Sequence, residues 1–177
     1  MGRLDVVPLY LADRIEWLDH LIAVLAERFT VDVRVRAARF DPESSFDPSR
    51  GQYDSTRLLR QLLDSSGADG GRILGVTTVD LFVPVLTYVF GEAQLGGRAA
   101  IVSSHRLATE IYGMDANEPL VIDRLSKEAV HELGHTFGLV HCPDPGCVMH
   151  ASTYVEEIDL KPSTFCTRCL RAVRDGG

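Results

Sequence analysis

The sequence lacks the segments that direct a chain into or across a membrane. Its most apolar run, residues 81–90, holds ten residues and includes Pro84 and Thr87, whereas a membrane-spanning helix needs about 20. Residues 1–5 reach an acidic side chain before any apolar stretch of signal-peptide length. We therefore expect a cytoplasmic protein that is not exported and has no membrane partner.

The chain also lacks an excess of basic charge. Its 177 residues include 18 Lys and Arg against 25 Asp and Glu, which gives a formal net charge of -7 and a pI of about 5.3. Nucleic-acid binding requires a basic surface that neutralises phosphates, so we expect no nucleic-acid partner. The sequence shows no internal repeat and no interdomain linker. Its length therefore predicts one domain, residues 1–177, which we expect to be a monomer.

Apolar periodicity predicts an α/β (α+β) fold with a mixed sheet and packed helices. Strands are expected at residues 3–9, 30–37, 73–78, 88–90 and 98–103. Helices are expected at 13–29 (capped by Asp13), 56–63 (capped by Asp54 or Ser55) and 120–137. Residues 41–54 are rich in Asp, Pro and Ser and predict a surface loop, and residues 91–97 predict a glycine-rich connection.

The predicted helix 120–137 carries a metal-binding pattern. His131 and His135 are four residues apart, so both imidazoles lie on one helix face and can reach one ion. Gly138 can take a positive φ and so end the helix sharply. The turn that follows can bring His141 back toward the helix as a third ligand. Three neutral nitrogen ligands with an open position are typical of catalytic zinc. The alternative is an ordinary packed helix with histidines that bind no metal. The spacing of the three histidines, the glutamate and the glycine makes this alternative less favourable.

Glu132, next to the first histidine, is the expected catalytic base. It would take a proton from a zinc-bound water and pass it to the leaving amine. A purely structural metal site would have no use for a base at this position.

All four cysteines lie after residue 141, as two pairs separated by eighteen residues: Cys142, Cys147, Cys166 and Cys169. Two pairs of thiolates complete a tetrahedral zinc shell, which predicts a closed structural site in a C-terminal zinc-binding subdomain, residues 139–177, beside the sheet and helices of residues 1–138. Disulfides or an iron–sulfur cluster are the alternatives. Because Cys142 follows His141 directly, we hypothesise that this zinc holds the third histidine in place.

The histidine pattern matches the extended metzincin motif, and Met149 is the candidate for the methionine that metzincins place in a turn beneath their zinc. A plain core methionine is the alternative. Together with the four cysteines, the sequence resembles the archaemetzincins. That resemblance implies a compact domain with a twisted mixed sheet, an active-site helix and a zinc-pinned C-terminal segment. It also implies two zinc ions, peptidase activity on peptide or protein substrates, and aminopeptidase action as in some relatives.

By the same resemblance, the strand at 98–103 would be the sheet edge that lines the cleft and binds an extended peptide. Two other functions stay open: a zinc-stabilised peptide- or protein-binding module with little turnover, and hydrolysis of a non-peptide amide. Tyr154 is a candidate to stabilise the oxyanion. An aminopeptidase would need an acid to hold the substrate amine, and the candidates are Glu92, Glu110, Asp115, Glu156 and Glu157.

Overall fold

The computed structural model describes residues 2–11, 14–67 and 71–176. Within them lie the strands β1 (Arg3–Leu9), β2 (Asp32–Val35), β3 (Phe46–Asp47), β4 (Gln52–Asp54), β5 (Arg72–Thr77), β6 (Leu81–Phe82), β7 (Gly91–Ala93) and β8 (Ala99–Ser103). The α-helices there are α1 (Trp17–Phe29), α2 (Ser55–Ser65), α3 (Glu118–Thr136), α4 (Val155–Leu160) and α5 (Thr167–Asp175).

The main sheet has the strand order β2-β1-β5-β8-β7. Its first four strands are parallel, and β7 pairs antiparallel with β8. The central strands are almost continuously apolar and buried, as expected for parallel strands covered on both faces. Helices α1 and α3 cover one face and α2 covers the other. The predicted mixed α/β fold is confirmed.

The helix ends follow the predicted signals. The Asp54 side chain accepts a hydrogen bond from the Arg57 backbone N–H at 3.1 Å and caps α2. The Asn117 side chain accepts from the Leu120 N–H at 3.2 Å and caps α3. Asp13, the predicted cap of the first helix, lies outside the described residues. None of the helices in the described parts of the chain is long and apolar enough to cross a membrane.

Two predictions of local structure are wrong. The predicted loop at 41–54 contains a short 3-10 turn, Pro42–Ser45, followed by β3 and β4, which form a small second sheet with β6. Residues 88–90 form only an isolated bridge, between Val89 and Leu81. The real strand is β7, within the predicted glycine-rich connection, because pairing with β8 outweighs the weak strand propensity of Gly91.

The identity of the edge strand changes as a consequence. β8 lies between β5 and β7 and is fully internal, so the expectation that strand 98–103 forms the edge of the sheet is wrong. The edge beside α3 is β7. Its short length and its position, with β5 and β8 between it and β1, could not be deduced from local periodicity.

Candidate active site

The three predicted histidines converge where α3 ends. Gly138 has φ +84°, and the Leu139 N–H donates to the Gly134 carbonyl while the Gly138 N–H donates to that of His135. This is a Schellman termination, which turns the chain sharply back. His141 thereby reaches the helix, and its ring centroid lies 5.3 Å from that of His131 and 5.1 Å from that of His135.

The ring nitrogens of this cluster are arranged to bind a cation. His131 Nδ1 lies 2.8 Å from the Val148 carbonyl oxygen, and His135 Nδ1 lies 2.7 Å from that of Leu139. Each Nδ1 must carry its proton to donate, which leaves the Nε2 lone pairs free. The two Nε2 atoms are 3.1 Å apart, close to the roughly 3.3 Å edge of a tetrahedron with Zn–N bonds of 2.0–2.1 Å.

The electrostatics favour neutral imidazoles. Burial, supported by the charge of Lys161, lowers the pKa of His131 well below its ordinary value. Burial also lowers the pKa of His135. One ligand atom from each of the three histidines lies within 4.8 Å of the others. Three imidazole nitrogens at this spacing fit a zinc ion at this position.

Glu132 lies beside this cluster and is 8% exposed. It packs against the edge strand, since a Cβ added at Gly91 would stand 2.7 Å from Glu132 Cγ. Burial raises the pKa of Glu132 well above its ordinary value, and the Glu128 charge adds to this while Lys161 opposes it. The carboxyl group is thus held at the base of a cleft that the three histidines also line.

The four cysteines are free thiols and form a second cluster. Their sulfurs lie within 4.8 Å of one another. The Cys142 and Cys166 sulfurs are 3.9 Å apart, close to the roughly 3.8 Å edge of a tetrahedron with Zn–S bonds of 2.3 Å. Arg168 donates to the Cys142 sulfur at 3.2 Å, which supplies positive charge for a thiolate. Four sulfurs at this spacing fit a closed zinc site.

One short segment joins the two clusters. The Cys142 N–H donates to the Met149 carbonyl oxygen at 2.8 Å, and Val148 accepts from His131. Met149 is fully buried, and a Cβ added at Gly134, between the two helical histidines, would overlap its sulfur. The methionine therefore lies against the turn of α3 that carries the two helical histidines, where the metzincin pattern expects it.

The cleft above the histidines has a volume of about 800 Å³. Strand β7 forms one wall through Gly91 and Ala93, and residues 151–154 line the cleft as well. Large apolar side chains on its rim are more than half exposed, and they are Leu86, Leu95, Val140 and Tyr154. Tyr154 thus lies at the cleft, as an oxyanion stabiliser must. None of the five acids proposed from the sequence as amine anchors is among the described lining residues.

An ion pair below the cleft was missed by sequence reasoning. Glu128 lies one helical turn before Glu132 and forms an ion pair of 2.9 Å with Lys161, and both side chains are at most 5% exposed. Lys161 also donates to the His150 carbonyl oxygen at 3.2 Å. The four-residue spacing of the two glutamates on α3 placed them on one helix face, but nothing local indicated that Lys161 would reach them.

A comparison of the sequence with models of known protein families agrees with the function that this site geometry indicates. The model of Peptidase family M54 matches residues 13–175 of the 177. The chain belongs to peptidase family M54. It is therefore a zinc metallopeptidase that acts on peptide substrates.

Curated relatives of this M54 peptidase are named archaemetzincins, which confirms the resemblance predicted from the sequence. The protein from Methanopyrus kandleri is 42% identical over 173 residues, which cover 98% of this chain and 91% of the relative. That from Archaeoglobus fulgidus is 39% identical over 159 residues, which cover 88% of this chain and 92% of the relative.

Solved archaemetzincin structures share the fold of the M54 peptidase. The Methanopyrus kandleri structure has a TM-score of 0.83 and 36% identity, and the match covers 99% of this chain and 94% of that one. The Archaeoglobus fulgidus structure, a complex with malonate, has a TM-score of 0.81 and 34% identity, and the match covers 96% and 99% of the two chains. The twisted sheet with its packed helices is thus the archaemetzincin architecture.

Proposed function

We propose that this M54 peptidase hydrolyses peptide bonds with Glu132 as the catalytic base and two zinc ions per chain. The observation that carries the proposal is the set of three facing imidazoles beside a buried carboxyl group in one cleft. The proposed ligands are His131, His135 and His141 for the catalytic zinc and Cys142, Cys147, Cys166 and Cys169 for the structural zinc.

The catalytic zinc, when bound, supplies a Lewis acid that polarises the scissile carbonyl and makes the attacking water more acidic. Glu132 accepts the proton of that water at its carboxylate and delivers it to the leaving nitrogen. Its burial limits the access of bulk water to the carboxylate. Gly138 and Met149 shape the turns that hold the ligand side chains.

The walls of the cleft support a peptide as the substrate. β7 pairs with β8 on one side only, so the main-chain groups on its other side are available to an extended peptide. Gly91 and Ala93 of this strand line the cleft. The apolar rim favours substrates with apolar side chains near the scissile bond.

We further propose a cytoplasmic monomer without nucleic-acid or membrane partners. The net charge of -7 supports the absence of a nucleic-acid partner. Four free thiols gathered as a ligand set, rather than paired as disulfides, support a reducing compartment.

The test is a zinc count combined with turnover of a peptide library by the wild type and by Glu132→Ala. We expect two zinc ions in both proteins and a loss of turnover by a factor of about 10² to 10⁴ in the variant, because the base is removed. The variant therefore serves as its own control for folding and metal content. Two zinc ions with equally negligible turnover in both proteins would instead favour a binding module.

A further inference from the structure

We infer that four polar side chains outside the cleft hold part of its rim in the shape that contacts substrate, and they are those of Arg50, Gln52, Asp80 and Arg106. This inference rests on the proposed peptidase function and deepens it, since it concerns what sets the affinity for substrate. None of the four is among the described residues that line the cleft. Each is therefore a positioning residue that acts through the rim.

The part of the rim in question is residues 83–90, called the rim segment below. Residues 86–90 of this segment line the cleft. The Val89 N–H donates to the Leu81 carbonyl oxygen at 2.9 Å, which anchors the end of the segment that is nearest the main sheet. Residues 84–87, in contrast, are all exposed. A stretch that buries so little surface is held weakly by packing, so its shape depends on hydrogen bonds from neighbouring elements.

Arg50 binds the backbone of this exposed stretch. Its Nη2 donates to the carbonyl oxygens of Leu86 at 2.7 Å and of Thr87 at 3.2 Å. Its guanidinium carbon lies 4.1 Å from the centroid of the Phe82 ring, a cation–π contact that restricts the side chain. Hydrogen bonds from a charged donor are stronger than neutral ones. One side chain thus holds two consecutive carbonyl groups of the rim segment.

Gln52 connects Arg50 to the rest of this network. The Gln52 side chain accepts from Arg50 Nε at 3.0 Å, and its Nε2 donates to the Thr87 carbonyl oxygen at 3.0 Å and to Asp80 Oδ2 at 2.9 Å. Gln52 is 7% exposed. Its amide therefore uses its acceptor and both donor hydrogens, which fixes its orientation. Removing it would leave partly buried groups unpaired.

Asp80 and Arg106 support the part of the segment nearer the histidines. Arg106 Nε donates to Asp80 Oδ1 at 2.9 Å and Nη2 donates to Oδ2, which makes a bidentate pair. The Arg106 guanidinium carbon lies 4.8 Å from the centroid of the Tyr88 ring, and that ring packs edge-on against Phe90 at 5.6 Å. Because Tyr88 and Phe90 both line the cleft, this pair supports an aromatic part of its wall.

The small second sheet carries the network. Gln52 lies on β4, and Asp80 directly precedes β6, which pairs with β4. The Tyr53 N–H donates to the Asp80 carbonyl oxygen at 2.9 Å, so the pairing brings the two side chains together. The helical histidines and Glu132 belong to a different element, α3. Loosening the rim segment should therefore weaken substrate binding and leave zinc binding and proton transfer in place.

The test is Arg50→Leu, measured on the library peptide that the wild type cleaves fastest, with the zinc content of both proteins verified. Leucine keeps an apolar side chain near Phe82 and removes both hydrogen bonds to the rim, and position 50 is exposed, so the core is not disturbed. We expect KM to rise by about tenfold, because the fraction of protein with a binding-competent rim falls by that factor. We expect kcat to change by less than about threefold, because the interaction is made equally in the ground state and the transition state.

Hydrogen–deuterium exchange reports on the rim segment without relying on activity. In Arg50→Leu, backbone amides of residues 83–90 are expected to exchange about tenfold faster, while those of α3 keep their wild-type rates. Gln52→Leu is the second variant and is expected to shift KM and exchange in the same direction. Unchanged KM in both variants, unchanged exchange of the rim segment, or a fall in kcat as large as the rise in KM would overturn the inference.

Arg34→Leu is the matched control. Arg34 forms an ion pair of 2.7 Å with Asp32 on β2, at the opposite edge of the main sheet from β7. It is expected to keep wild-type KM, kcat and exchange. If the zinc-loaded wild type cleaves no peptide of the library, the proposed function fails and this inference fails with it. If the wild type is active and Arg50→Leu keeps its KM, this inference alone is overturned.

Discussion

At the residue scale, two glycines allow the parts of the catalytic cleft to approach one another. Gly134, between the two helical histidines, leaves room for the Met149 sulfur. Gly91, on the edge strand, leaves room for the side chain of Glu132, since a Cβ there would stand 2.6 Å from the Ile101 carbonyl oxygen and 2.7 Å from Glu132 Cγ. Gly134 thus accommodates a side chain, whereas Gly91 accommodates both the Glu132 side chain and the backbone of the neighbouring strand β8.

Gly91→Ala is therefore expected to displace Glu132 or the edge strand. A misplacement of about 1 Å in a catalytic group can cost a factor of about 10². We expect kcat to fall by at least about tenfold while zinc content and the far-ultraviolet circular dichroism spectrum stay unchanged.

Gly146→Ala is the matched control for this substitution. Its added Cβ would meet only the end of the Asp144 side chain, at 3.2 Å, and that side chain can move away. Wild-type kcat in Gly91→Ala would show that the contact with Glu132 has no role in catalysis.

At the element scale, the 19-residue helix α3 and the segment after it organise both proposed zinc sites. The helix supplies His131 and His135, and the Schellman turn directs the chain back toward the helix. As a result, the adjacent residues His141 and Cys142 belong to different clusters, the first to the histidines and the second to the cysteines. The helix, its cap and its termination were all predictable, because they depend on residues close together in sequence. The pairing of β7 with β8 was not, since it joins segments whose own propensities are weak.

Because His141 and Cys142 are adjacent in the sequence, we predict that zinc binding at the cysteine site affects zinc binding at the histidine site. The double substitution Cys166→Ser/Cys169→Ser removes two of the four proposed sulfur ligands. It frees the segment whose backbone contacts His131 and Cys142. We expect the affinity of the histidine site for zinc to fall by about tenfold or more, measured by competition with a chromogenic chelator.

Arg171→Ser/Arg174→Ser is the control, because it makes two changes on exposed positions of the same helix, α5, without removing a sulfur. It is expected to keep wild-type zinc affinity. Normal folding of the cysteine variant with one zinc bound at undiminished affinity would contradict the coupling.

At the scale of the whole molecule, the described residues form a five-stranded main sheet, a small second sheet and a C-terminal part that holds the four thiols. The accessible surface is 8651 Å², close to the roughly 8500 Å² expected for a folded monomer of 19.5 kDa. Residues 2–138 contain every strand of the described parts of the chain. Residues 139–176 hold α4, α5 and the four thiols, and their buried apolar side chains, such as Val148, Met149 and Ile158, belong to the same core cluster as α3.

The position of all four thiols after residue 138 is the basis of our prediction that residues 139–177 form a zinc-binding subdomain. We further propose that the order of this part depends on zinc more than that of residues 2–138. Removing zinc with a chelator is expected to raise the rate of limited proteolysis within 139–177 by about tenfold or more, because metal binding contributes directly to the folding free energy of such sites. Cleavage within 2–138 is expected to change much less.

Peptide mapping by mass spectrometry measures both rates, and chelator saturated with zinc beforehand is the control. Equal acceleration in both parts would show that the chain loses its structure as one cooperative unit and that the proposed division is wrong.

The sequence by itself determined the features that depend on local spacing. Helical periodicity places His131 and His135 on one face, and Gly138 can take the positive φ that ends the helix. The family and the mixed α/β fold followed from the same motifs. Tertiary structure alone decided that β7 is the sheet edge, that Lys161 forms an ion pair with Glu128, and that the Glu92 side chain bonds to Thr56 at the start of α2. These features join residues far apart in sequence, and their energies depend on burial and pairing that no local pattern encodes.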